Sequence, residues 1–307
     1  MKVFVTGASS TPGFKIVVEL AKAGYEVYAC LLYNSHEIPH VDGVVKVKID
    51  FVNEADKLVR VLNEIKPEII IHTAALGDVD KCEVERLLAW RTNVEATYII
   101  AKTSAKLNSY ILHLSTDYVF DGEKGLYGED DVPNPINYYG LTKLVAENIV
   151  RSSLNEFSIV RTSHIYGFGM GRENFARYVI RALSSGQRIR ALIDQWLSPT
   201  LNTLLAKAIR EIVEKRYTGI VHIAGERVNR YDFAKAIARR FRFDENLIEP
   251  ISMSEIKFIA KRPKDSSLNT SKARTIIKTD FYNLKNSLDI LYSEWLELQK
   301  RGAESAV

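Results

Sequence analysis

Apolar residues along the chain fall into short β-rich runs separated by stretches of helical period. KVFVT (Lys2 to Thr6) reads as a buried strand, and an amphipathic segment follows from Pro12 to Ala23. YEVYACLLY and GVVKVKID are the next two strand candidates. From Asn53 to Ile65, Leu58, Val59, Leu62 and Ile65 recur at helical spacing. EIIIHTAA and YILHLST are further buried strands, separated by a long helical region from about Asp80 to Leu107. Strands alternating with helices predict an α/β fold with parallel pairing, a doubly wound sheet covered on both faces. Right-handed crossovers place the strand carboxyl ends on one edge, where ligands bind.

After FSIVRTS (Phe157 to Ser163) the rhythm loosens. The glycine-punctuated YGFGMG leads to helical patterns near Phe175 to Leu183 and Leu204 to Lys215, then a strand, GIVHIAG, and a helix near Tyr231 to Phe241. The predicted organisation is a Rossmann-type NAD(P)-binding domain over residues 1–163 and a smaller C-terminal α/β substrate lobe over 164–300, with one or two elements returning to the sheet. Fraying is expected beyond about Trp295, with 301–307 a loose tail.

Composition narrows the partners. The chain has 307 residues, 46% of them hydrophobic, enough for one large core or two coupled ones. Its 42 basic and 38 acidic residues leave a net charge of +4, too balanced for a nucleic-acid or membrane-surface protein. The densest basic run, RRFRF (Arg239 to Phe243), reads as a solvated helix face. Cys30 and Cys82 give neither a disulfide framework nor a metal spacing, which points to a reducing cytosol. MKVFVTG enters a strand at once, without a secretory apolar stretch, and no apolar run approaches the ~20 residues of a membrane span. A cytoplasmic protein is expected.

The first loop, TGASSTPG, follows a strand and opens a helix. In dinucleotide folds the first glycine permits a sharp turn, the second lets backbone approach phosphate, and the third lets helix pack on strand. Gly7 and Gly13 fill the outer roles, while Ser10 stands at the middle one. Thr11 suits an N-cap and Pro12 the first helical position, so a helix amino end with free N–H groups should face the loop.

Two later segments carry the chemistry. HLSTDYVFDG places Ser115, Thr116 and Asp117 just past a strand, at the ligand-binding edge. In NPINYYGLTKLVAE, Asn134 and Pro135 suit a helix start, and Tyr139 and Lys143 lie four apart on one helix face. A phenol titrates near pH ~10, and a neighbouring ammonium lowers that value and makes it a usable general acid. Thr116 can share a substrate oxygen with Tyr139, with a nicotinamide alongside supplying hydride. Tyr138 is a rival, but Lys143 lies four residues beyond Tyr139 and not beyond Tyr138.

With these motifs in view, the chain resembles the extended short-chain dehydrogenase/reductases, and among them the dTDP-4-dehydrorhamnose reductase family. The resemblance runs through TGASSTPG, HTAALGDVDKCEVE, STDYVFDG, NYYGLTK, RTSHIYG, IDQWLSPT and KRPKDSSLNTSKA, nearly the whole chain. It implies reduction of the C4 keto group of a nucleotide-linked 6-deoxy-4-keto sugar, with Thr116, Tyr139 and Lys143 catalytic. By the same carry-over, Gly7, Ser10, Thr11 and Pro12 surround the cofactor diphosphate, and Asp50 and Phe51 flank adenine. Ala74, Ala75 and Leu76 line the nicotinamide-ribose side, and Lys143 also binds the ribose hydroxyls. Thr116, Asp117, His164 and Arg262 meet the substrate, Lys261 and Lys264 being further candidates for its diphosphate.

Three positions depart from the family pattern. Ser10 replaces the middle glycine, His164 replaces a usual tryptophan, and Lys15 stands where some bacterial members place a glutamate used in metal-bridged dimers. No metal site is expected. At the end of the second strand, Tyr33 and Asn34 are expected to contact the cofactor; they supply no acidic residue for a ribose 2′-hydroxyl and no arginine for a 2′-phosphate, which favours NADPH with NADH possible. His36 and His40 read as a surface loop, and His72, His113 and His222 as buried spacers. The expected partner is a nucleotide-sugar, with the chain a monomer or homodimer. Two other readings stay open: a nucleotide-sugar epimerase, and a non-catalytic NADP-binding regulatory protein resembling the methionine adenosyltransferase regulatory subunit.

Overall fold

The computed structural model describes residues 1–32 and 38–300. Six strands and six helices make the first half: β1 (Lys2–Thr6), α1 (Thr11–Lys22), β2 (Glu26–Leu31), β3 (Val44–Lys48), α2 (Ala55–Ile65), β4 (Ile69–His72), α3 (Val79–Val84), α4 (Arg86–Trp90), α5 (Ala96–Leu107), β5 (Tyr110–Thr116), α6 (Tyr138–Ser153) and β6 (Phe157–Thr162). The later part adds β7 (Ile165–Tyr166), α7 (Phe175–Ser184), β8 (Ile189–Leu192), β9 (Trp196–Leu197), β10 (Thr200–Leu201), α8 (Asn202–Glu214) and β11 (Gly219–His222). It closes with β12 (Val228–Asn229), α9 (Arg230–Phe241), β13 (Ile248–Ile251), α10 (Ser271–Ile276) and α11 (Leu284–Lys300).

Seven strands form one parallel sheet in the order β11-β6-β5-β4-β1-β2-β3. Strand order reverses between β1 and β4, so their carboxyl ends flank a ready crevice. Alternation along the strands divides the core. Val3, Val5, Ile69, Ile71, Leu112 and Leu114 face one side, against α1 and α8, while Phe4, Ile70 and Ile111 face the other with Leu58 and Leu62. All seven residues of β5 are buried, as covering on both faces requires. Edge strand β3 instead alternates Val with Lys, which blunts an open edge. The core on the α1/α8 face runs on without a break into the later part, through Phe233 and Ile237 of α9 to Leu291 of α11.

Three sequence expectations are corrected. Ser10, not Thr11, caps α1, its Oγ accepting from the Gly13 N–H at 3.1 Å, with Thr11 and Pro12 opening the helix. Asn137, not Asn134, caps α6, accepting from Gly140 N–H at 2.8 Å. The last helix persists to Lys300 instead of fraying from Trp295; residues 301–307 lie outside the described residues. No described helix is long and apolar enough to cross a membrane.

Candidate active site

A cleft of about 820 Å³ opens over the strand carboxyl ends. At one end lie Ser10, Thr11 and Pro12 at the amino end of α1, and beside them Thr73, Ala75 and Leu76 after β4. The loop before α1 is shaped by its outer glycines. Gly7 has φ +68°, and a Cβ there would stand 2.8 Å from Ala74 N. A Cβ on Gly13 would stand 2.1 Å from the Gly7 carbonyl oxygen, so helix and strand approach as closely as a glycine allows. Ser10 needs no glycine conformation, with φ −79° and ψ 164°. Its oxygen accepts from Gly13, which leaves its O–H free to donate into the cleft. A helix amino end facing an open cleft suits a diphosphate, and this corner fits a dinucleotide.

Asn93 fixes the same wall, and sequence reasoning missed it. It sits in a π-helical turn, Arg91–Glu95, and its buried amide accepts from Leu76 N–H at 2.7 Å. The same amide donates to the Leu76 carbonyl at 3.2 Å and to Thr142 Oγ1 at 3.0 Å, next to Lys143 on α6. Single π turns inside helices recur at functional sites, and nothing in the RTNVE sequence announces this one.

At the other end of the cleft stand Thr116, Asp117, Tyr118, Tyr139, Lys143, His164 and Arg262. Thr116 ends β5, and its Oγ1 donates to Asp117 Oδ1 at 3.0 Å and accepts from Tyr118 N–H at 3.2 Å. Asp117 is buried, and its Oδ2 accepts from Ser163 Oγ (2.8 Å) and from Ser266 Oγ. Burial pushes this carboxyl up to about 6 against those hydroxyl donors. Asp117 therefore ties the STD turn to the RTSH and KRPKDSSLN segments, both serines unremarkable in the sequence.

The two candidate tyrosines separate. Tyr139 lines the cleft, whereas Tyr138 receives the Arg86 guanidinium at 5.0 Å from its ring centroid and is not among the lining residues. Burial pushes the Tyr139 phenol well up, opposed by a hydrogen bond with the Thr116 side chain. Lys143 does not yet relieve it. Its ammonium donates to the Leu114 carbonyl at 2.7 Å and to His113 Nε2 at 3.1 Å, and burial pulls it down to about 8. The expected lowering of the phenol by its lysine is thus corrected: desolvation dominates, and the amine is held by the strand beneath.

One turn along α6, Glu147 receives Arg161 Nη2 at 2.7 Å and Nε at 3.0 Å and Ser115 Oγ at 2.5 Å, locking the helix onto β5 and β6. His72, His113 and His222 are buried; His72 bonds Thr6 and Thr97.

Other expected residues fall elsewhere. Gly7 and Ala74 lie behind the lining, Ala74 packed on the second core. Asp50 folds back on its own turn, accepting from Val52 and Asn53 N–H at 2.9 and 3.3 Å, and Phe51 is buried with Leu58 and Leu62. Neither reaches the cleft wall. Tyr33, Asn34 and His36 lie outside the described residues. Lys261 and Lys264 are exposed and only Arg262 of that segment lines the cleft, paired with Asp80 at 2.9 Å. Lys15 bonds Glu294 at 2.9 Å, and His40 pairs with Asp42. Among the described residues no group of three His, Cys, Asp or Glu is placed to hold a metal.

A doubly wound parallel sheet, a glycine-turned helix amino end and a tyrosine–lysine helix at one cleft define an extended short-chain dehydrogenase/reductase fold. The chain belongs to the RmlD substrate binding domain family, which matches residues 1–296. A dTDP-4-dehydrorhamnose reductase of Aggregatibacter actinomycetemcomitans is 33% identical over 238 residues, 73% of this chain and 80% of that protein. Methionine adenosyltransferase 2 subunit beta of Rattus norvegicus is 28% identical over 285 residues, 90% of this chain and 82% of its own. Among solved structures, a hypothetical dTDP-4-dehydrorhamnose reductase from Sulfolobus tokodaii is 39% identical with a TM-score of 0.81, covering 92% of this chain and 97% of that one. The Bacillus anthracis dTDP-4-dehydrorhamnose reductase in complex with NADP is 29% identical with a TM-score of 0.84, covering 95% and 99%.

Proposed function

We propose that the protein, an NAD(P)-dependent oxidoreductase, catalyses NADPH-dependent reduction of the C4 keto group of a nucleotide-linked 6-deoxy-4-keto sugar, as in dTDP-L-rhamnose biosynthesis. One observation carries the reading: Thr116, Tyr139 and Lys143 line the same cleft as the amino end of α1. Ser10, Thr11 and the α1 amino end would hold the cofactor diphosphate, with Leu76 and Lys143 at the nicotinamide-ribose side. When bound, NADPH supplies the hydride that the carbonyl carbon takes up. Thr116 and Tyr139 hold the carbonyl oxygen between two hydroxyls, Thr116 turning from Asp117 to do so. Tyr139 then delivers its proton to that oxygen. A phenol held protonated by burial gives up its proton only as the oxygen gains negative charge, and Lys143, one helical turn on, is the cation that steadies the phenolate. Hydride and proton together yield the C4 alcohol.

A second reading is a regulatory protein that binds the dinucleotide without turnover. It is favoured by the similarity to the methionine adenosyltransferase subunit and by the Lys143 amine resting on His113 and Leu114. Incubation with NADPH and dTDP-4-keto-6-deoxymannose, followed by absorbance of the reduced nicotinamide, separates the two. Reduction predicts loss of signal only when the sugar is present. Tight NADPH binding with no consumption supports the regulatory reading.

A further inference from the structure

Three arginines line the cleft: Arg172, Arg230 and Arg262. Arg172 is paired with Asp78 at 2.9 Å and Arg262 with Asp80 at 2.9 Å. Arg230, the first residue of α9, has no carboxylate partner among the described residues. Its Nε donates to Gln195 Oε1, its Nη1 lies 3.4 Å from His164 Nε2, and its guanidinium stands 5.1 Å from the Phe175 ring centroid. All three contacts are to neutral groups. They aim the side chain without an ion pair; the buried Asp117 carboxylate acts on its charge through space, and its Nη2 makes no hydrogen bond within the described residues. A half-buried guanidinium that lines an open cleft without an ion pair is placed to take up an anion.

The setting says which anion. Tyr118 feels both Arg230 and Arg262 and packs edge-on to Tyr139, with ring centroids 6.1 Å apart. Arg230 therefore shares the cleft with the proposed reaction centre. We infer that Arg230, aimed by Gln195, His164 and Phe175, is the anion-binding residue of the substrate side and receives the diphosphate of the nucleotide-sugar. This rests on the proposed nucleotide-sugar specificity. A planar guanidinium can bridge two phosphate oxygens, and of the three cleft arginines Arg230 is the one that could do so without breaking an ion pair.

Calorimetric titration of the NADP⁺-loaded protein with dTDP tests this, with inorganic pyrophosphate and thymidine as companion probes. Arg230→Gln is expected to weaken dTDP and pyrophosphate binding about tenfold or more, as loss of a charge-assisted contact should, with thymidine and NADP⁺ unaffected. Arg230→Lys, which keeps the charge over Phe175, should recover part of the loss and controls for folding. Unchanged dTDP affinity in Arg230→Gln, loss of NADP⁺ binding in its place, or wild-type protein that binds neither dTDP nor pyrophosphate overturns the assignment. The reductase reading fails separately, if NADPH survives incubation with the keto sugar while dTDP binding still depends on Arg230.

Discussion

The proposed cofactor side of the cleft is shaped above all by the backbone from Thr6 to Gly13, whereas the proposed sugar side draws on side chains at 116–118, 139, 143, 164, 230 and 262. On the first side the constraint is contact between main-chain atoms. A Cβ at Gly13 would meet the Gly7 carbonyl oxygen at 2.1 Å, and no nearby side chain can yield. On the second side several residues are held by polar partners from other segments, as Asp117 is by Ser163 and Ser266, or Arg230 by Gln195. Backbone-made sites tolerate little and say little about ligand identity. Side-chain-made sites carry the specificity and are cheap to alter.

Substitutions should break the two sides in different ways. Tyr139→Phe has the largest expected effect: a fall in kcat of about 10²–10⁴, the usual worth of a positioned general acid. NADPH affinity should barely change, as fluorescence titration of the bound cofactor would report. Comparable losses of both would make Tyr139 a binding residue. Glu147→Gln, between the sides, leaves the buried Arg161 charge without its counter-ion and should cost roughly 3–5 kcal/mol in denaturant unfolding. Gly13→Ala should cost about 1–3 kcal/mol by overpacking and should weaken NADPH binding more than dTDP binding, the reverse of a sugar-side change.

The smallest expected effect has the opposite sign. Lys143 is buried with its pKa pulled down to about 8, so the folded protein holds that proton less tightly than the unfolded chain does. Its cost to stability is full below pH ~8 and fades as pH rises toward the unfolded value of ~10.4. Lys143→Met should therefore stabilise the protein by about 1 kcal/mol at neutral pH while removing activity, and the gain should shrink in alkaline melts. Equal or lower stability of the variant at neutral pH would show that the Leu114 and His113 hydrogen bonds outweigh desolvation.

Legibility in the sequence follows the same division. Lys2–Thr6, Tyr110–Thr116 and the α1 corner were readable because short apolar runs, strand–helix alternation and glycine chemistry act over a few residues. The Tyr139–Lys143 spacing was readable because one helix fixes it. Cap positions slipped because Thr11 and Asn134 have the chemistry of caps, while Ser10 and Asn137 have the needed extended backbone. Arg230, Ser163, Ser266 and Asn93 act through partners 35, 46, 149 and 17 residues away, and nothing in their immediate neighbours announces it. Phe51, expected beside adenine, follows a strand end and packs with Leu58 and Leu62, a contact that its neighbours in the sequence do not announce.

The central claim is hydride delivery to C4 of a nucleotide-linked keto sugar at Tyr139. Incubation with NADPH deuterated at the nicotinamide C4, followed by NMR and mass analysis of the sugar, tests it most directly. Hydride transfer gives a product with one deuterium on sugar C4 when the label is on the transferred face, and none there from deuterated water. Cofactor that binds but stays reduced, or a product whose C4 hydrogen comes from solvent, would contradict it.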